Sequence, residues 1–189
     1  MSATRMLVLG VVHWAGKAHG YQIRAELLSW RADSWARIKP GSLYHALRKA
    51  VADGLLVDEV EQGDGGPDRT SFTITEAGRE ELTRLVKEGL AVPGDPFMLN
   101  AAISMLPALR RADAVAMLRQ RIDGLTAQRG ELRQWQDGPP GLKPEHVCEQ
   151  AHLWLGQLDA DLAWATDLVR RLGEGAYALD GEPGNREFA

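Results

Sequence analysis

Cysteine is almost missing from this chain of 189 residues: Cys148 stands alone. A single thiol excludes an intrachain disulfide and any zinc site built from several cysteines. Long apolar runs are missing too. The stretch Met6 to Val12 with Trp14 is far shorter than the ~20 residues that span a bilayer. His13, Trp14 and Lys17 follow it instead of a small-residue cleavage site, so it reads as a buried first helix and not as a signal peptide. The expectation is no membrane association and a reducing cytoplasm. Catalytic signatures are also absent. Gly63-Asp64-Gly65-Gly66 lies between two strand-like runs and opens no helix, so it is no phosphate loop. No nucleophile elbow occurs. His146, Cys148, Glu149 and His152 are ligand types, but the two histidines are six apart, off one helical face. Neither an enzyme nor a cofactor nor a metal is expected.

A net positive charge is lacking as well, since the formal charge is −4. Its distribution matters more than its sum. Between Arg24 and Lys49 six basic residues face two acidic ones, a local +4 that leaves −8 for the rest of the chain. A basic patch on an acidic protein suits specific binding to DNA, because phosphate contacts need only local cations. With 44% apolar residues the chain can also bury a real core.

The basic patch ends in the most informative stretch, Lys39-Pro40-Gly41-Ser42-Leu43-Tyr44-His45-Ala46-Leu47. Pro40 fits the first turn of a helix, where the N–H it lacks has no intrahelical partner. Leu43, Leu47 and Ala50/Val51 repeat on one helical face, and Gly54 sits where a left-handed residue closes a helix. Ser42, Tyr44, His45, Arg48 and Lys49 occupy the remaining surface. An apolar back with a hydroxyl, aromatic and cationic front is what a recognition helix presents to a major groove.

Leu55 to Glu61 then reads as a strand, Gln62 to Asp68 as a turn with three glycines and a proline, and Arg69 to Thr75 as a second, β-branched strand with Phe72 and Ile74 on one side. This hairpin after a recognition helix makes a winged helix-turn-helix, with Arg69 at the wing. Thr75 is placed to cap a further helix, with Glu76 in its first turn and Leu82, Leu85, Val86 and Leu90 as its apolar stripe. Upstream, His19-Gly20-Tyr21-Gln22-Ile23 starts a second helix with Ile23 and Leu27 inward.

His19-Gly20-Tyr21-Gln22-Ile23, Gly41-Ser42-Leu43-Tyr44-His45-Ala46-Leu47, Asp53-Gly54-Leu55-Leu56 and Phe72-Thr73-Ile74-Thr75-Glu76-Ala77-Gly78 together resemble the PadR family of bacterial transcriptional regulators, in order and spacing, over roughly residues 4 to 90. The resemblance implies a homodimer on a palindromic operator, usually a repressor released by a small effector. Its longer subfamily adds a helical dimerisation domain. The chain departs from the family pattern at His45, where proline is common. It departs again at Thr70 and Ser71, where a basic residue and an aromatic are usual.

Val92-Pro93-Gly94-Asp95-Pro96 breaks the chain and reads as a linker. Phe97 to Leu106 is a short apolar helix. Val115, Leu118, Ile122, Leu125, Arg129 and Leu132 follow at spacings of 3 and 4, and Ala151, Leu155, Leu158, Leu162, Ala165, Val169 and Leu172 repeat likewise. Gly138-Pro139-Pro140-Gly141 turns between them, so the two helices form an antiparallel hairpin. A hairpin buries little by itself, which points to a partner subunit.

The expected fold is therefore mainly α with a small β-hairpin. Residues 1–91 are expected as a winged helix-turn-helix DNA-binding domain, 95–172 as an α-helical hairpin that dimerises, and 173–189 as a flexible tail. The candidate DNA-binding residues are Tyr21, Lys39, Ser42, Tyr44, His45, Arg48, Lys49 and Arg69. Tyr21, Lys39, Ser42 and Tyr44 would anchor phosphates. His45, Arg48 and Lys49 would reach base edges. Trp135, Trp154 and Trp164 widen the hairpin's apolar stripe and are candidates for an aromatic effector pocket between subunits. The expected partners are an operator duplex, a second copy of the chain and a small aromatic effector. The competing readings are a winged-helix protein-interaction module and a ligand sensor with no direct role on DNA.

Overall fold

A computed structural model of the chain describes residues 2–36, 38–62, 69–138 and 144–185. The first helix, α1 (Ala3–Ala15), buries Met6 to Val12 and Trp14, so it is enclosed on every side. A short strand, β1 (Lys17–His19), and the helix α2 (Gly20–Ser29) follow, then a single turn, α3 (Ala32–Trp35).

The helix α4 (Pro40–Ala52) forms as its residues dictate. Pro40 opens it, and Leu43, Leu47 and Ala50 are buried against the core. Asp53 ends it, and Gly54 takes φ +72°. That left-handed step lets the Leu55 N–H donate to the Ala50 carbonyl at 2.9 Å, which closes the last turn. The strands β2 (Leu56–Glu61) and β3 (Arg69–Ile74) pair antiparallel, Leu56 opposite Ile74 and Glu61 opposite Arg69. The wing tip expected at 62–68 lies, apart from Gln62, outside the described residues. β1 adds to the far edge of β3, giving the order β1-β3-β2. This third strand is three residues long, too short for a visible alternation.

Thr75 caps α5 (Glu76–Ala91), its hydroxyl accepting the Gly78 N–H at 3.0 Å. Asp95 caps α6 (Pro96–Ser104) through the N–H groups of Phe97 and Met98. A single 3₁₀ turn at Leu106–Ala108 leads into α7 (Arg111–Gln136), which pairs with α8 (Glu145–Gly173). One apolar cluster runs from α1 through α5 and α6 to Leu118, Leu168 and Leu172. The near end of the hairpin is thus welded to the winged-helix unit, and its far end projects as an arm.

Two expectations about this half need correction. The buried line of α7 is Ala114, Leu118, Arg121 and Leu125, so the seam position expected for Ile122 belongs to Arg121. Arg121 is 2% exposed. Its Nε and Nη2 donate to Asp161 at 2.9 and 2.5 Å, and its Nη1 donates to the Val92 carbonyl at 3.0 Å. A fork of donors matched to a carboxylate makes a buried arginine tolerable. The second correction concerns residues 174–185, expected as part of a frayed tail. Leu179 is completely buried. Arg111 clamps the segment: it donates to the carbonyls of Leu172, Ala176 and Tyr177 and holds Glu182 through two bonds of 2.6 Å.

Candidate nucleic-acid interface

The sheet, α2 and α4 bring most of the sequence-picked side chains to one side of the winged unit. Gly20 begins α2 and is buried beneath Tyr44. A Cβ there would lie 2.7 Å from Tyr44 Cε1, so only glycine lets the ring settle against the start of α2. Tyr21, next along, is exposed and stacks on His19 with centroids 5.7 Å apart and planes 8° apart. The His19 N–H donates to Gln22 Oε1 at 2.8 Å, which pins the first turn. His19 Nδ1 lies 3.4 Å from the Thr70 carbonyl and ties that turn to the wing strand.

Around this junction runs an open cleft of about 540 Å³ in which Tyr21, Tyr44, Arg48 and Arg69 come together. Ser42, His45 and Lys49 line the opposite flank of α4 in a second cleft, with Arg5 and Arg84. The expected base-reading trio is therefore split, Arg48 towards the wing and His45 with Lys49 towards α5. The reason is helical: one and four residues after Tyr44 point in different directions at 100° per residue. Lys39 stands exposed just before α4.

The cations differ in freedom. Among the described residues Lys39, His45, Arg48 and Arg69 have no ion pair, whereas Lys49 meets Asp53 at 2.7 Å and Asp53 also holds Arg5. Ser42 is committed too: its hydroxyl accepts the Lys39 N–H at 3.0 Å and donates to the Lys39 carbonyl at 2.7 Å. It shapes the start of α4 as much as it faces outward.

Sequence reading missed Asp58. The β2–β3 register sets it opposite Phe72, and it lines the Tyr44–Arg48–Arg69 cleft as that cleft's carboxylate. Its even spacing from buried Leu56 was the available signal. On the other sheet face Lys17 bonds Glu59 at 2.9 Å and Glu61 at 2.6 Å. The Glu61 carboxyl is held below its ordinary value by Lys17 first and by the Ser71 hydroxyl second. The wing stalk is acidic and partly self-neutralised, so it adds little attraction for phosphate.

The three tryptophans do not assemble within one chain. Trp135 and Trp154 are 40% and 45% exposed on the arm, and Trp164 packs against the main core. Trp154 and Trp164 stand ten residues apart on α8, about 15 Å of helix rise.

A helix-turn-helix, a wing and a cation-bearing α4, carried on a helical arm, define a winged-helix protein. Residues 8–84 match the model of the transcriptional regulator PadR-like family. Among solved structures, PadR of Bacillus subtilis in complex with operator DNA is 18% identical, with 89% of this chain and 98% of that chain covered and a TM-score of 0.42. The protein smu.1604c of Streptococcus mutans UA159 is 22% identical over 93% of this chain and 98% of that one, with a TM-score of 0.42. The Bacillus subtilis PadR complex with p-coumaric acid is 18% identical over 90% and 99%, with a TM-score of 0.36. A comparison with curated proteins found no match. No described helix is long and apolar enough to cross a membrane.

Proposed function

We propose that this transcriptional regulator represses its targets by binding a palindromic operator as a homodimer. The observation that carries the reading is the exposed side of α4. Lys39, His45 and Arg48 are unpaired among the described residues there, beside a tyrosine seated on glycine. In this reading Tyr21, Lys39, Tyr44 and Arg69 hold phosphates, and Arg48 and His45 reach base edges, with Ser42 and Lys49 in support. Residues 1–91 act as the DNA-binding domain and 95–172 as the dimerising one. Leu153, Trp154 and Trp135, exposed on the arm, supply apolar surface for a second copy. The dimer sets two α4 helices ~34 Å apart, one helical turn of DNA. A small aromatic effector releases the operator by favouring another spacing of those helices. p-Coumaric acid, the ligand in the Bacillus subtilis complex, is the first probe for it.

Binding-site selection from random duplex DNA at moderate salt tests this proposal. An enriched inverted repeat with half-sites one turn apart is expected. Tyr44→Ala and Lys39→Ala should weaken binding to that repeat while the dimer persists in sedimentation. Affinity should fall steeply with salt as counterions are released. Parental affinity in either variant would remove α4 from the contact surface. A salt-insensitive association with a protein would turn the reading towards an interaction module.

A further inference from the structure

A second cleft in the winged unit takes no part in the DNA reading. The end of α1, β1 and α2 enclose about 310 Å³, at the small end of the range of ligand pockets. Val11, Ala18 and Ile23 form its buried floor. Trp14 and Trp30 meet there edge to face, with centroids 6.1 Å apart and planes at 65°. Glu26 contributes a half-buried carboxylate. Its Oε1 accepts the Trp30 indole N–H at 3.1 Å, and among the described residues it has no ion pair. The cation at the rim, Lys17, is already engaged by two carboxylates, Glu59 and Glu61. The surroundings are therefore net negative, and the aromatic surface is indole, the best ring for a cation.

We propose that this cleft is a binding site for a small organic cation, an aromatic or quaternary ammonium compound whose charge faces Glu26 while its apolar body rests on Trp14, Trp30 and the floor. Among the described residues no cation faces the Glu26 carboxylate, and such a ligand supplies one. An anion of the same shape would meet Glu26 head on. An uncharged aromatic would fill the volume and leave the carboxylate uncompensated. The site lies apart from the arm tryptophans, so it is separable from the effector pocket discussed above.

Isothermal titration calorimetry of the full chain without DNA decides the matter, with benzyltrimethylammonium, benzyl alcohol and benzoate as probes. The cation should bind saturably at one per chain, and the neutral and anionic probes about tenfold more weakly or not at all. Glu26→Gln keeps an acceptor for the Trp30 N–H and removes the charge, so the fold should persist while the cation binds about tenfold more weakly. Trp30→Leu should weaken it similarly. Benzoate binding as well as the cation, no saturable cation binding, or Glu26→Gln binding like the parent would each overturn the proposal.

Discussion

Two helices of this chain solve the problem of burial in opposite ways. α1 has thirteen residues and buries eight, none of them charged. α7 has twenty-six and buries four, one of them an arginine. α1 is surrounded by elements of its own chain, packing on α2, α4, α5, α6 and β3, so its sequence is apolar all round. α7 packs on α5 and α8, and its outer surface stays polar. The arm's exposed apolar groups, Leu153 at 60% among them, lie on α8 and at the far end of α7. A core finished within one chain leaves nothing for a partner to cover, and the arm keeps apolar surface that a partner can use.

The sharpest way to break this contrast is Arg121→Ala. It strands Asp161 and the Val92 carbonyl inside the arm's root, and loss of one member of a buried pair costs about 3–5 kcal/mol. Urea denaturation measures it. The double replacement Arg121→Met with Asp161→Leu should recover most of the loss, because apolar groups of similar size tolerate such a site. A loss near zero in Arg121→Ala would mean that the guanidinium finds water there.

Leu179→Ala comes next, at about 2–4 kcal/mol for a fully buried leucine. A segment that frayed in solution would give no measurable change in the same denaturation. Gly20→Ala is smaller in stability, about 1–2 kcal/mol for overpacking, but it forces the Tyr44 ring away. Operator affinity should fall about as far as in Tyr44→Ala. Unchanged affinity would show that the position of Tyr44 against α2 is irrelevant to DNA.

The smallest effect is a matter of pH. Arg111, and then the Leu179 N–H, hold the Glu182 carboxyl at about 2 instead of 4.5. A carboxyl depressed on folding contributes its full stability above the unfolded value. Glu182 therefore contributes fully above pH 4.5 and loses that contribution as the pH falls towards about 2. Glu182→Gln should flatten the stability curve in that window: it lowers stability at neutral pH, by a small amount because the pair is screened by solvent, and converges with the parent as the pH falls towards about 2.

The winged unit was readable because its signals are local. Pro40, the Leu43–Leu47 stripe, Gly54 and the Thr75 cap each act within one or two turns of chain. The strand β1 escaped notice because three residues carry no period, and its strand character comes from pairing with β3. In the candidate interface the residue types were visible, but their grouping was not. Nothing in the order Tyr44-His45-Arg48-Lys49 says that Arg48 shares a cleft with Arg69 and Asp58 while His45 and Lys49 look towards α5.

The tail was misjudged for a related reason. Glycines and acids suggest solvent, yet Arg111, some seventy residues upstream, supplies the donors that order it. The heptad count placed Leu118 and Leu125 in the buried line of α7 and missed Arg121 by one residue, because Asp161 and the linker carbonyl draw that guanidinium inward.

By itself, then, the sequence determined the helices, their caps, the hairpin and the cation-bearing face of α4, since propensity, periodicity and turn chemistry act between near neighbours. Tertiary structure alone decided that Arg121 is a core residue, that Gly20 seats Tyr44, that Leu179 is buried and that Glu26 lies in a cleft between two indoles. Each depends on a partner far along the chain, and periodicity tells which way a side chain points but not what waits there.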